Sequence, residues 1–227
     1  MTSHTHAAGM GQLFSKRANA ITWLVLIGTP LLITATCVAL YAFPRSNFWT
    51  RVDVPIDQPV QFSHRHHVGV VGIDCRYCHT SVEQSAFAGM PSTETCMTCH
   101  SEIWKDAPML QLVRGSWRSG RPIKWTRVYD APDYVYFDHS IHVNKGVGCA
   151  TCHGAVNEMP LTWKTQELYM RWCLDCHRDP AKFVRPKNEV FNMTYVPPED
   201  QRSLGEALLG ANHVHTAGLT DCYVCHR

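Results

Sequence analysis

Hydrophobic positions fall along this 227-residue chain in two unlike ways. Residues 20–43, AITWLVLIGTPLLITATCVALYAF, run without a charge. At about 1.5 Å per helical residue, such a run crosses a bilayer core of about 30 Å with some tilt, and it predicts one transmembrane helix. Lys16 and Arg17 precede it and Arg45 follows. A cleaved signal peptide has a shorter apolar core ending at a small-residue cleavage site. Leu40-Tyr41-Ala42 is a poor site, so the segment reads as an uncleaved anchor. Gly28, Thr29, Pro30, Thr34 and Thr36 interrupt its apolar surface and favour packing against other membrane helices. Cys37 reads as a small buried apolar residue.

Beyond residue 43 the pattern changes. Strand-like alternation is nearly absent, and Gly89-Met90-Pro91, Gly120-Arg121-Pro122, Ala131-Pro132 and Pro197-Pro198 punctuate the chain. Short helices and irregular loops with little β are expected. A chain so irregular buries too little side chain to fold by itself, so most of its core must come from elsewhere.

The cysteines supply that source. Ten of the 11 fall into five Cys-x-x-Cys-His motifs: Cys75-Cys78-His79, Cys96-Cys99-His100, Cys149-Cys152-His153, Cys173-Cys176-His177 and Cys222-Cys225-His226. This spacing marks covalent c-type haem attachment, with two thioethers to the porphyrin and the adjacent histidine as proximal iron ligand. Zinc sites need no histidine fixed after every Cys pair, and five repeated i,i+3 disulfides are improbable. The expected fold is a multihaem cytochrome c: short α-helices and loops wrapped round five covalent haems, with little β and one N-terminal transmembrane helix.

Haem changes two further readings. The formal charge is +2, but five haems with ionised propionates turn the holoprotein acidic, which argues against nucleic-acid binding. Arg65, Arg76, Arg171, Arg178 and Arg227 lie in or beside the motifs, as propionate partners or as solvated charge. Bacterial c-type haem is attached outside the cytoplasmic membrane. Residues 1–19 are therefore expected in the cytoplasm, with His4 and His6 on the wrong side to reach haem, and 44–227 in the periplasm.

An internal repeat organises the outer domain. FSHRHHVGVVGIDC aligns with YFDHSIHVNKGVGC as Phe-x-His-x-x-His-Val followed by Cys, which matches Phe62, His64 and His67 to Phe137, His139 and His142. Two-haem units at 62–102 and 137–180 are followed by a fifth haem at 213–227. A low-spin haem iron needs a sixth ligand, usually His or Met. His64, His67, His139 and His142 hold the duplicated positions and are read as distal ligands, whereas His66 faces Ile141 in the repeat and is not. For the fifth haem Met193 is set against His213 and His215. Between the units, Trp104, Trp117 and Trp125 with Arg114, Arg118, Arg121, Lys124 and Arg127 form either a partner-docking surface or haem packing.

The Phe-x-His-x-x-His arrangement resembles class III multihaem cytochromes c. That resemblance implies that the first histidine of each pair ligates the haem just downstream and the second reaches another haem. For the second repeat, this rule is expected to conflict over the third haem. The anchor, GIDCRYCHTSVEQSAFAGMPSTETCMTCH, PDYVYFDHSIHVNKGVGCATCHG, WCLDCHRDP and the final CYVCHR together resemble the pentahaem membrane subunit of alternative complex III, a quinol-oxidising complex. Met193 is favoured as fifth ligand because relatives there carry a similar Arg-Pro…Phe-Asn-Met segment. The same resemblance implies an electron-transfer subunit. Its expected partners are an iron–sulfur subunit and polytopic quinone-binding subunits, with a monohaem cytochrome c, soluble carrier or terminal oxidase beyond. The competing readings are a reductase with one open haem iron and a stand-alone quinol dehydrogenase. For the latter, Asp53 and Asp57 are the only acids close behind the anchor.

Overall fold

The computed structural model describes residues 14–226 and divides the chain into two compact units, 1–50 and 51–227. His4, His6 and Arg227 lie outside the described residues.

In the first unit, α1 (Lys16–Ala42) is capped by Ser15, whose side chain accepts from the Ala18 amide at 3.1 Å. The helix is long and apolar enough to cross a membrane and begins four residues ahead of the charge-free run. Pro30 sits inside it. Cys37, expected to be buried, is exposed instead, because α1 has no partner helix within its own unit. Arg45 lies 3.9 Å from the centre of the Tyr41 ring and donates to the Tyr41 carbonyl at 2.8 Å. Phe43 meets Trp49 at 5.3 Å and Phe48 at 6.1 Å. Aromatic and basic groups at the end of an apolar helix suit a membrane–water boundary. A short helix, α2 (Asn47–Thr50), ends the unit.

The second unit is built of short helices: a π-helical turn (Arg65–Val70), α3 (Cys75–Cys78), α4 (Thr93–His100), α5 (Gln111–Ser119), α6 (His139–Asn144), α7 (Cys149–His153), α8 (Met170–Arg178), α9 (Gln201–Ala211) and α10 (Cys222–Cys225). Among the described residues β-pairing is confined to isolated bridges: Val52 with Lys164, Val135 with His226 and Val147 with Val184. Local chemistry sets where several helices begin. The Asp74 carboxylate accepts from the Arg76 amide at 2.8 Å and caps α3. Asp138 accepts from the amides of Ser140 (2.8 Å) and Ile141 (3.4 Å) and caps α6.

The apolar core is small. Val60, Leu110 and Val113 gather Cys96, Met97, Ile123 and Trp125 in one cluster; Val82, Val143 and Val190 gather Ala88 and Phe191 in another. Only nine hydrophobic residues among those described are buried, too few to hold a domain of this size without another source of core. The tryptophans between the repeats divide. Trp125 packs on the first cluster, whereas Trp104 and Trp117 stay about half exposed.

One close approach fixes the C-terminal third. A Cβ on Gly205 of α9 would meet the Ala181 carbonyl, so glycine lets α9 lie directly on residues 180–182. Gln201 then donates to the Ala181 and Val184 carbonyls at 2.9 and 2.8 Å.

Candidate haem-binding site

Each Cys-x-x-Cys pair sits on one short helix, α3, α4, α7, α8 or α10 in turn. Spacing i,i+3 puts both thiols on one helical face, and the histidine follows at or just past the helix end.

The repeat supplies facing imidazoles. His64 faces His79 with ring centroids 6.5 Å apart and planes 9° from parallel. His67 faces His100 at 6.2 Å and 73°. His139 faces His153 at 6.3 Å and 13°, and His142 faces His177 at 6.2 Å and 35°. A metal–imidazole bond of about 2 Å plus about 1 Å from nitrogen to ring centre, on each side, puts two axial imidazoles about 6 Å apart. All four pairs fit an iron between them. The expected conflict over the third haem does not arise: in both repeats the first histidine faces the next motif histidine and the second faces the one after.

A phenylalanine orients each pair of repeat histidines. Phe62 meets His64 edge-on (4.9 Å, 85°) and stacks on His67 (4.4 Å, 20°). Phe137 meets His139 edge-on (4.8 Å, 87°) and stacks on His142 (4.6 Å, 25°). The Nδ1–H groups are also held. His79 donates to Gly89 O (2.7 Å), His100 to Ile103 O (3.0 Å), His177 to Leu219 O (2.8 Å) and His226 to Tyr134 O (3.2 Å). On the distal side His67 donates to Ser63 O (2.9 Å), His139 to Ala86 O (2.9 Å) and His142 to Asp138 O (2.7 Å), while His64 Nδ1 shares a hydrogen bond with Thr162 Oγ1 (2.9 Å). With Nδ1 engaged, Nε2 is the nitrogen left to bind a metal.

Burial favours the neutral form of four of the facing imidazoles. Burial, reinforced by His79 and His67, lowers His64 to about 4. Burial, with His139, His79 and His64, lowers His153 to about 4. His142 and His67 are lowered too, burial again leading in each. A neutral imidazole is the form that ligates iron.

The attachment sites meet in an order that differs from their order in sequence. Phe62 packs on both His64 and His67, which face the first and second motif histidines. Cys149 N donates to Val190 O at 3.1 Å, and Arg76, beside Cys75, lies 4.4 Å over the neighbouring Phe191 ring, which brings the first site to the third. Phe137 packs on both His139 and His142, which face the third and fourth motif histidines. His177 Nδ1 donates to Leu219 O at 2.8 Å, three residues before Cys222, which brings the fourth site to the fifth.

The fifth site is built differently. Tyr136 N donates to Cys225 O at 2.7 Å, docking the last motif on the strand-like stretch before the second repeat. The ring against His226 is that of Tyr134, 5.9 Å away and 26° from parallel. Met193, expected opposite His226, instead lines a cavity of about 370 Å³ with Val68, Asp74, Cys75 and Asn192, which is the first attachment site. Asn192 sets that position, because its carbonyl is held by Arg185 (3.2 Å) and its side chain by Glu189 (2.6 Å). The His213 carbonyl accepts from Lys145 Nζ at 3.2 Å, and His213 holds a φ of 52°. His66 stacks on Trp104 (5.5 Å), which itself stacks on His100 (6.4 Å).

Sequence reading passed over Thr162 and Tyr129. Tyr129 meets His153 edge-on at 4.3 Å and takes the Thr165 amide at 3.1 Å. Neither residue lies near a motif in sequence, and no local signal marks them. Two of the arginines beside motifs are already engaged, Arg76 with Asp74 at 2.9 Å and Arg178 with Asp175 at 4.0 Å.

Paired thiols each followed by histidine, facing imidazoles and a depleted apolar core define a multihaem c-type cytochrome. The chain belongs to the class III/c7-type multihaem cytochrome c family and carries covalently bound c-type haem. "Cytochrome c7 and related cytochrome c" matches residues 135–227 and "Class III cytochrome C family" matches residues 47–115. The chain is similar to a protein of Nitratidesulfovibrio vulgaris described as "Menaquinone reductase, multiheme cytochrome c subunit". They are 30% identical over 202 residues, covering 86% of this chain and 87% of that protein.

Proposed function

We propose that this chain is the electron-relay subunit of a membrane-bound, quinone-linked oxidoreductase. The observation that carries the reading is the single unbroken series of attachment sites. Phe62 between His64 and His67, Arg76 on Phe191 with Cys149 N on Val190 O, Phe137 between His139 and His142, and His177 on Leu219 O link the sites in the order second, first, third, fourth, fifth.

Five haems are held through Cys75, Cys78, Cys96, Cys99, Cys149, Cys152, Cys173, Cys176, Cys222 and Cys225. His79, His100, His153, His177 and His226 are proximal. His64, His67, His139 and His142 are distal, paired as their rings face. Bound haem supplies one-electron redox chemistry. The chain fixes each axial imidazole, excludes water through Phe62, Phe137 and Tyr129, and tunes each site through burial and nearby charge. Paired imidazoles at four sites favour relay over substrate chemistry, which needs an open iron.

The relay has two ends, the second site near Trp104 and the fifth near Tyr134. In an alternative complex III-like assembly an iron–sulfur subunit, fed by polytopic quinol-oxidising subunits, delivers electrons at one end. A monohaem cytochrome c, soluble carrier or terminal oxidase takes them at the other. The anchor α1 holds the haem domain at the outer face of the cytoplasmic membrane, with the N-terminus inside. The relative's description favours a second reading, in which the same wire runs towards menaquinone.

The test is to purify the complex in mild detergent, identify the subunits that travel with this chain, and add a quinol analogue. Comigrating iron–sulfur and polytopic subunits with haem reduction by quinol support quinol oxidation. Haem oxidation by added quinone, without reduction by quinol, selects the reverse direction. A chain that migrates alone overturns the complex.

A further inference from the structure

Arg185 is the buried charge that the relay leaves unexplained. It is 7% exposed. Its guanidinium lies directly over Gly148, where any Cβ would clash with it, so glycine at 148 makes room for this side chain. Nη2 donates to Thr151 Oγ1 at 3.3 Å and Nη1 to the Asn192 carbonyl at 3.2 Å; the Tyr195 ring covers it at 4.6 Å. Nε is buried with no hydrogen-bond partner. Among the described residues none of the ion pairs includes Arg185. Glu189 acts on it only through space, and its carboxylate is already taken by Asn188 and Asn192.

The fold holds this cation in place deliberately. The Arg185 amide donates to Gly146 O at 2.8 Å, Val184 bridges to Val147, and Gln201 of α9 holds Val184 O. Three separate segments therefore fix a charge whose burial without a counter-ion is unfavourable. Its contacts also straddle two attachment sites. Gly148 and Thr151 flank Cys149, while Asn192 lines the cavity that holds Cys75. The same two sites come together next to it: Cys149 N donates to Val190 O at 3.1 Å, and Arg76, beside Cys75, lies over the Phe191 ring at 4.4 Å. The prosthetic groups attached there bring carboxylates of their own, which a guanidinium fork recognises geometrically.

We propose that Arg185 is the buried counter-charge of a haem propionate at the junction of the first and third attachment sites, and that it holds the potential of that haem up. The inference rests on haem attachment at Cys75/Cys78 and Cys149/Cys152. A cation beside a propionate stabilises the reduced, more negative haem, so removing it makes that haem harder to reduce.

The experiment uses the full chain in its native complex. Arg185→Gln keeps amide donors for Thr151 and Asn192 but loses the charge. Arg185→Lys keeps the charge but loses the fork. Haem content by pyridine haemochrome is read first, then all midpoint potentials by spectroelectrochemistry. The expected result is five haems per chain and one midpoint moved negative, further in Arg185→Gln than in Arg185→Lys, with the others unmoved. Arg185→Gln assembled with five haems and unmoved midpoints overturns the proposal and leaves Arg185 a packing residue. Arg185→Met, also without charge, is read the same way if Arg185→Gln does not assemble. Fewer than five haems in the unaltered protein would instead count against the five-haem reading, separately from Arg185.

Discussion

The imidazoles of His139 and His153 face one another 6.3 Å apart and 13° from parallel. His64 and His79 repeat the relationship at 6.5 Å and 9° in the first unit. Each distal histidine thus has one assigned iron. His64→Ala, His67→Ala, His139→Ala and His142→Ala are each expected to convert one haem, and one only, from low to high spin. The affected haem is that of His79, His100, His153 and His177 respectively. Electron paramagnetic resonance on each variant checks this, and an unchanged low-spin count removes that residue from the ligands.

Asp138 links acid to two irons at once. Its carboxylate caps α6, which carries both His139 and His142, and its carbonyl takes His142 Nδ1–H. The Ser140 hydrogen bonds hold its carboxyl below the usual carboxylate range. A depressed folded-state pKa means the cap stabilises above the ordinary carboxylate pKa and is lost as pH falls through the lowered one. Acid is therefore expected to loosen His139 and His142 before the neutral-capped sites. Asp138→Ala costs about 1 kcal/mol at every pH above that window. Asp138→Asn still caps but does not titrate, so its acid transition should disappear. A pH titration of the low-spin absorption bands in the three proteins separates these cases.

Much of this was legible in the chain. The five motifs, the Phe-x-His-x-x-His repeat and the anchor are local patterns, and the structure places them as spacing demands. What escaped is long-range. The first site meets the third through the 190–191 segment, where the Cys149 amide holds Val190 O and Arg76 covers Phe191, contacts far apart in sequence. His64 Nδ1 is met by Thr162 across 98 residues. Nothing local sets Arg185 apart from the exposed arginines, and only its packing on Gly148 reveals its burial. Met193 was placed by a resemblance in the segment, which carries no information about which site the segment visits.

Met193→Ala tests that placement. Met193 lines the cavity beside Cys75, at the attachment site whose motif histidine, His79, already faces His64. The variant is expected to keep every haem low-spin that is low-spin in the unaltered protein, with a stability loss of about 2–3 kcal/mol from the enlarged cavity. Loss of one low-spin signal, or one midpoint moved with the spin change, would return Met193 to an iron.

The nine buried hydrophobic residues set an expectation for the chain without haem. Two clusters of three buried side chains do not offset the backbone entropy of a domain this long. Chain made without haem maturation should lack a cooperative thermal transition and be cut throughout residues 51–226 by protease at low dose. Far-ultraviolet circular dichroism checks this, and a sigmoidal melt of the haem-free chain would show that the protein supplies its own core.

The meeting of the first and third attachment sites through Val190 and Phe191 also has a redox consequence. Haems at adjoining sites exchange charge through a short, partly dry path, so an electron on one opposes reduction of the other. At a separation of about 10 Å and an effective dielectric near 20, the repulsion is about 1–2 kcal/mol, or roughly 50–100 mV for one electron. The fifth site lies two links further along the series and should feel far less. His64→Met, which exchanges imidazole for thioether at the first iron, raises that haem's potential. Once the first haem is reduced before the third, the third midpoint should fall by the coupling while the fifth stays where it was. Redox titrations of the variant and the parent, resolved by the distinct low-spin signals, give both shifts. If the fifth midpoint moved as much as the third, the contacts through Phe137 and from His177 to Leu219 would not describe the path. The order second, first, third, fourth, fifth would then fall with them.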